Sequence, residues 1–115
     1  MDISEKLFIN LIEWEGKHYV ENEAGSFAKL MYSGTEVTLP TVDNVVMNSP
    51  ALDWKLLKTG DLAVYSDGNV FVLGLVVGVI ERQFCFANPK TSTVQVVDFA
   101  GSINGYKYIN GFRVV

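Results

Sequence analysis

The chain holds little of what metal, redox and nucleotide chemistry draw on: one cysteine, one histidine and three prolines among 115 residues. A structural zinc site needs several thiolate or imidazole ligands at close spacing. No His-x-x-x-His pair and no Asp-x-Asp-x-Asp-Gly loop occurs, so neither kind of metal site is expected. Cys85 has no internal disulfide partner and, between Phe84 and Phe86, reads as a small apolar strand residue. Neither Gly-x-Gly-x-x-Gly nor Gly-x-x-x-x-Gly-Lys-Ser/Thr is present, and no cofactor is expected.

Charge is sparse as well. Only 19% of residues are charged, below the roughly 25% of ordinary soluble domains, and no two basic residues are adjacent. Binding to a phosphate backbone needs clustered Lys and Arg that release counterions, so nucleic acid is not an expected partner. The net charge of -4 lies wholly at the start. Residues 1–23 hold six acids (Asp2, Glu5, Glu13, Glu15, Glu21, Glu23) against Lys6 and Lys17, whereas residues 24–115 hold seven of each sign. Long hydrophobic runs are missing too: the longest uncharged stretch, Gly68 to Ile80, is 13 residues, short of the roughly 20 that cross a bilayer as a helix. No membrane partner is expected. With no basic region leading into an apolar one at the N-terminus, no secretory signal is read and a cytoplasmic location is expected.

What is present is apolar content, 49% of the chain, which excludes general disorder and suits a single domain over residues 1–115. Residues 1–16 read as a helix and 17–115 as a β body. Ile3, Leu7, Phe8, Leu11 and Ile12 follow the spacing of one helical stripe. Asp2 and Glu5 stand as a capping-box-like pair at its start and Gly16 at its C-cap. Ile9 and Trp14 lie off that stripe, placed to pack under a loop or to meet a partner.

After Gly16 the period changes to two. Segments 17–21, 27–32 and 35–39 are rich in aromatic and β-branched residues and broken by Gly25, Ser33-Gly34 and Pro40, which predicts short strands. Ser49-Pro50 ahead of residues 51–57 predicts a short helix with Ser49 as N-cap. Asp67-Gly68 between two apolar runs predicts a hairpin of 62–65 against 70–73 with both turn residues at positive φ. The second arm continues through Gly74 and Gly78 without alternation, as a strand buried on both faces or bent at its glycines. A further hairpin joins 83–87 to 93–98, followed by segments broken at Asn104-Gly105 and Asn110-Gly111 and a last strand at 112–115. The expected fold is mainly β: a small β-barrel or β-sandwich of about eight to nine short antiparallel strands, with an N-terminal amphipathic helix and a short helix near 50–57.

Catalytic candidates are few. Glu13 and Glu15 point in different directions, against a paired-carboxylate hydrolase, and His18 reads as an exposed strand residue. The residues around Ser49-Pro50-Ala51-Leu52, Leu57 to Val64, Gly68 to Leu73, Ala87-Asn88-Pro89 and Asn110 to Val115 resemble the β-rich domain of LexA-type self-cleaving repressors. That resemblance implies a related barrel. The family's serine nucleophile works with a lysine on the strand after the hairpin, and residues 70–80 here contain none, so it implies the barrel without the activity.

The expected function is therefore a non-enzymatic protein-interaction or assembly module, such as a self-associating structural component of phage type or a small inhibitor. A barrel that binds a small ligand inside and an inactive relative of the LexA-type domain are the alternatives. The partner is expected to be a protein or a second copy. Its contact surface is sought among Trp14, Trp54, Tyr106 and Tyr108, because Trp and Tyr carry interface energy, and among Glu13, Glu15, Glu21 and Glu23.

Overall fold

A computed structural model describes residues 3–21, 23, 25–78 and 81–114. It begins with helix α1 (Ile3–Trp14), then two shorter helices, α2 (Ser26–Met31) and α3 (Val42–Val46), and one turn of 3-10 helix (Trp54–Leu56). Six strands follow: β1 (Leu62–Ser66), β2 (Phe71–Val77), β3 (Gln83–Asn88), β4 (Thr93–Asp98), β5 (Ser102–Ile103) and β6 (Tyr106–Phe112). They form one antiparallel sheet in the order β4-β3-β2-β1-β6-β5, curled into a half-barrel.

The mainly β class holds, with six strands where eight to nine were expected. Three of the missing ones lie between α1 and β1, and the separate last strand expected at 112–115 is absent because Phe112 is the end of β6, with Arg113 and Val114 in no strand. Residues 27–32 fold as α2 because Phe27, Ala28 and Met31 share one buried helical face, and a six-residue apolar segment carries too few turns to distinguish a period of 3.6 from one of two. Residues 17–21 contribute a single bridge, His18 to Thr93, and 35–39 run as irregular chain. Helix α3 was not foreseen, although Thr41 caps it by accepting the Asn44 N–H at 3.2 Å. The helix expected near 50–57 shrinks to one turn capped by Asp53, whose Oδ1 accepts the Lys55 N–H; Ser49 and Pro50 lie outside it.

Both predicted hairpins are present, with a changed turn in the first. Ser66 pairs with Phe71, so the loop is four residues and only Gly68 takes a positive φ. Asp67 Oδ1 accepts the N–H groups of Asn69 and Val70, both at 2.9 Å, and closes the turn as an Asx motif. Asn104 and Gly105 both have positive φ, 48° and 88°, the geometry of the two-residue turn that joins β5 to β6.

Asn110-Gly111 is a strand interior rather than the expected turn. The β1–β6 register shifts between Val64 and Tyr65, where Asn110 and Tyr108 are the successive partners, so Ile109 is the extra residue of a bulge. The bulge turns the Asn110 side chain to tie down the preceding loop. Its Nδ2 donates to the carbonyls of Val46 and Asn48, and its Oδ1 accepts the N–H of Leu52.

Alternating strand residues feed two separate cores. One face presents Leu62, Val64, Leu73, Leu75, Val77, Cys85, Ala87 and Val94 to the helices, which supply Leu7, Phe27, Ala28, Met31, Val42 and Val45. The opposite face packs Tyr65, Val76, Phe84 and Phe86 with Leu57, Phe99, Ile103 and Tyr106. Two buried faces account for the unbroken apolar run of β2, which was one of the two readings of that stretch. Gly74 lies where β2 and β3 press together: a Cβ there would stand 2.4 Å from the Cys85 carbonyl oxygen and 2.6 Å from the Phe84 ring. Asp2, residues 79 and 80 of the expected long strand, and Val115 are outside the described residues.

Candidate interaction surface

Helix α1 carries apolar residues on two sides. Ile3, Leu7, Leu11 and Trp14 turn toward the helix-covered core. Between them Asn10 is buried, its Nδ2 donating to the Met31 carbonyl at the end of α2 at 2.8 Å. That bond sets the rotation of α1, because a buried amide without a partner costs about 1–3 kcal/mol. The other side is left to solvent: Phe8 is 57%, Ile9 42% and Ile12 65% exposed. The sequence places Phe8 and Ile12 in the buried stripe and Trp14 off it, and the structure reverses this. Two stripes compete at i, i+4 spacing, and the Asn10–Met31 bond together with Trp14 packing selects one.

The remaining large exposed apolar side chains among the described residues are Val20, Met47, Leu56, Val70, Phe71 and Ile109. Isolated ones are ordinary on a protein surface. Phe8, Ile9 and Ile12 stand apart because they are consecutive on one helical face. Beside them lies a groove of about 190 Å³ lined by Leu7, Phe8, Leu11, Thr59, Val77, Gly78 and Gln83. Cavities for small organic ligands hold roughly 300–1,000 Å³, so this one suits an inserted side chain better than a cofactor.

The four aromatics considered from sequence are turned mostly inward. Trp14 is half-buried, edge-on to Tyr19 at 5.8 Å between ring centres. Trp54 is half-buried against Phe99 at 5.7 Å, with its backbone carbonyl, like those of Lys55 and Leu57, accepting from Arg82. Tyr108 donates to the Leu52 carbonyl at 2.8 Å, and burial with nearby Asp53 and Asp61 pushes its hydroxyl up to about 12. Tyr106 is 2% exposed and its hydroxyl has no hydrogen-bond partner in the structure.

The acids divide into two groups. Glu13 and Glu15 are exposed at the end of α1. Glu21 is half-buried, and its Oε1 accepts the Gly25 N–H at 2.6 Å ahead of α2. Burial raises its carboxyl above the ordinary range, opposed by hydrogen bonds from the Gly25, Phe27 and Ser26 backbone. Glu23 is exposed beside a shallow depression that includes Thr41, Asp43, Val70 and Phe71. Glu13 and Glu15 are thus exposed at the end of the helix that carries Phe8, Ile9 and Ile12, whereas Trp54, Tyr106 and Tyr108 belong to the other core.

His18 and Ser49, the other polar residues weighed for chemistry, are exposed. Cys85 is fully buried, and burial, aided by Glu15, pushes its thiol up to about 12, far from a reactive thiolate. Among the described residues no group of three His, Cys, Asp or Glu is placed to hold a metal ion, and no helix is long and apolar enough to cross a membrane. The chain matches no known protein family, no curated protein and no solved structure.

Proposed function

We propose that this chain is a non-enzymatic protein-interaction module whose recognition element is the outward face of α1. The observation that carries the reading is the row Phe8, Ile9 and Ile12, exposed opposite the face by which the helix is anchored. A surface helix on a globular domain ordinarily turns charged and polar residues outward, and apolar rows at i and i+4 are the anchors of helix-mediated recognition. The fold supports this use. Leu7, Asn10 and Trp14 hold α1 against α2 and the helix-covered core, so its outer row is presented on a fixed element and a partner need not order it.

The test is the double substitution Phe8→Asp with Ile12→Asp in the full chain. Affinity capture from cells and sedimentation across a concentration series should show an assembly with the native chain that the variant lacks, at an unchanged urea midpoint. Native and variant chains that remain equally monomeric and equally uncomplexed would count against the reading.

A further inference from the structure

We infer that the partner surface that docks on α1 is a basic amphipathic segment of another protein. This rests on α1 being the recognition element and adds the partner's chemistry. The outward row is apolar at its centre and acidic at its borders. Glu13 follows Ile9 by four residues on the helix, and Glu15, just past the helix end with its N–H still bonded to the Leu11 carbonyl, follows Ile12 by three, so each neighbours an exposed isoleucine. The only base of the helix, Lys6, is turned to another neighbour: its Cε lies where a Cβ on Gly34 would be met at 2.5 Å, on the turn after α2. The borders of the row are therefore anionic, on a chain whose entire net charge resides in its first 23 residues.

That charge pattern selects among occupants. A second copy docking about a twofold axis brings each surface against itself, so α1 would face α1, and neither helix turns a base outward to meet Glu13 and Glu15. An anionic membrane is repelled by the same residues. A partner helix with Leu or Phe at i and i+4 and Lys or Arg at its borders meets both features. One of its apolar side chains enters the groove between Phe8, Leu11 and Val77, while its charges face Glu13 and Glu15 at the rim, where they steer the encounter and set specificity.

Two synthetic helical peptides test this on the full chain by calorimetric titration: an amphipathic Leu/Lys peptide and the same peptide with Glu for Lys. The Leu/Lys peptide should bind and the Leu/Glu peptide should not. Phe8→Asp with Ile12→Asp should weaken the Leu/Lys peptide by more than about tenfold, although it adds two negative charges. Glu13→Gln with Glu15→Gln should weaken it by about threefold to tenfold, and raising salt from about 0.05 to about 0.5 M should act in the same direction. Urea midpoints of both variants serve as the folding control. Leu/Lys binding that ignores the Phe8 and Ile12 substitutions is charge attraction alone and overturns the inference. A preference for the Leu/Glu peptide, or a dimer that those substitutions dissolve, overturns the basic partner and leaves α1 as the recognition element. Binding of neither peptide by a chain that stays monomeric overturns both.

Discussion

The two faces of the sheet are sealed by different means. On the helix-covered side the strands present Leu, Val, Ala and Cys, α2 contributes the larger groups Phe27 and Met31, and α1 and α3 add Leu7, Val42 and Val45. On the other side the strands themselves carry the bulk: Tyr65 lies 4.7 Å from Phe84 between ring centres, and Phe84 stacks on Phe86 at 5.2 Å. That face is closed by irregular chain, with Leu57, Phe99 and the short β5 as its lid. Small strand side chains leave room for helices to approach a sheet, whereas a layer of rings fills the space that a helix would occupy. The difference explains why one sheet has helices on one side and loops on the other, and why the loops of the ring-bearing side need polar ties. Arg82 donates to the Trp54 and Lys55 carbonyls of the 3-10 turn and to the Leu57 carbonyl just after it, and Tyr65 donates to the Ala100 carbonyl at 2.5 Å.

The contrast breaks first at Phe84. Phe84→Ala removes the ring that touches Tyr65, Phe86 and Phe99 and should cost about 3–5 kcal/mol in urea unfolding. Leu73→Ala on the opposite face should cost about 2–3 kcal/mol, within the range for buried leucine, because neighbouring aliphatic side chains can close part of the gap. A reversal of that order would mean that the aromatic layer relaxes more easily than the helix-covered one. Asn110→Ala tests the ties. It strips three groups of the 46–52 loop of their partner and should cost about 2–3 kcal/mol, with amide exchange accelerated in residues 46–52 and unchanged in β2 and β3.

The smallest effect belongs to Glu21, which lies outside both cores. Burial raises its folded carboxyl above the ordinary value of 4.5, so the folded chain keeps this proton to higher pH than the unfolded chain does. Stability from this group is present below about pH 4.5 and lost as pH rises through the folded value. Glu21→Gln keeps an oxygen for the Gly25 N–H and removes the buried charge. The variant should be slightly more stable at pH 7, by less than about 0.5 kcal/mol, with the difference vanishing in acid. A loss of stability at pH 7 would show that the charge-assisted bond to Gly25 outweighs the burial.

Much of the sheet was legible because its signals are local. Asp67-Gly68, Asn104-Gly105 and the turn 89–92 each mark a reversal that neighbouring residues alone can impose. The region before β1 was not, since its elements are too short to show a period: Phe27 to Met31 suits a strand or a helix equally until Phe27, Ala28 and Met31 find a shared face against the sheet. The candidate surface was legible in part. Glu13 and Glu15 were named from the sequence, whereas Phe8 and Ile12 were assigned to the core, and the signal that could have separated them is the polar Asn10 lying within the other stripe.

Composition and local pattern alone determined the mainly β class, the two long hairpins, the initial helix and an acidic start on a neutral body. Those properties depend on residues close in sequence. Tertiary structure decided which side of α1 is buried, whether 27–32 is strand or helix, and that Asn110 lies inside a strand. Each of these choices is settled by a partner distant along the chain: the Met31 carbonyl for Asn10, the sheet for Phe27, and the carbonyls of Val46 and Asn48 for Asn110. The energy of such contacts exists only once the chain has brought them together.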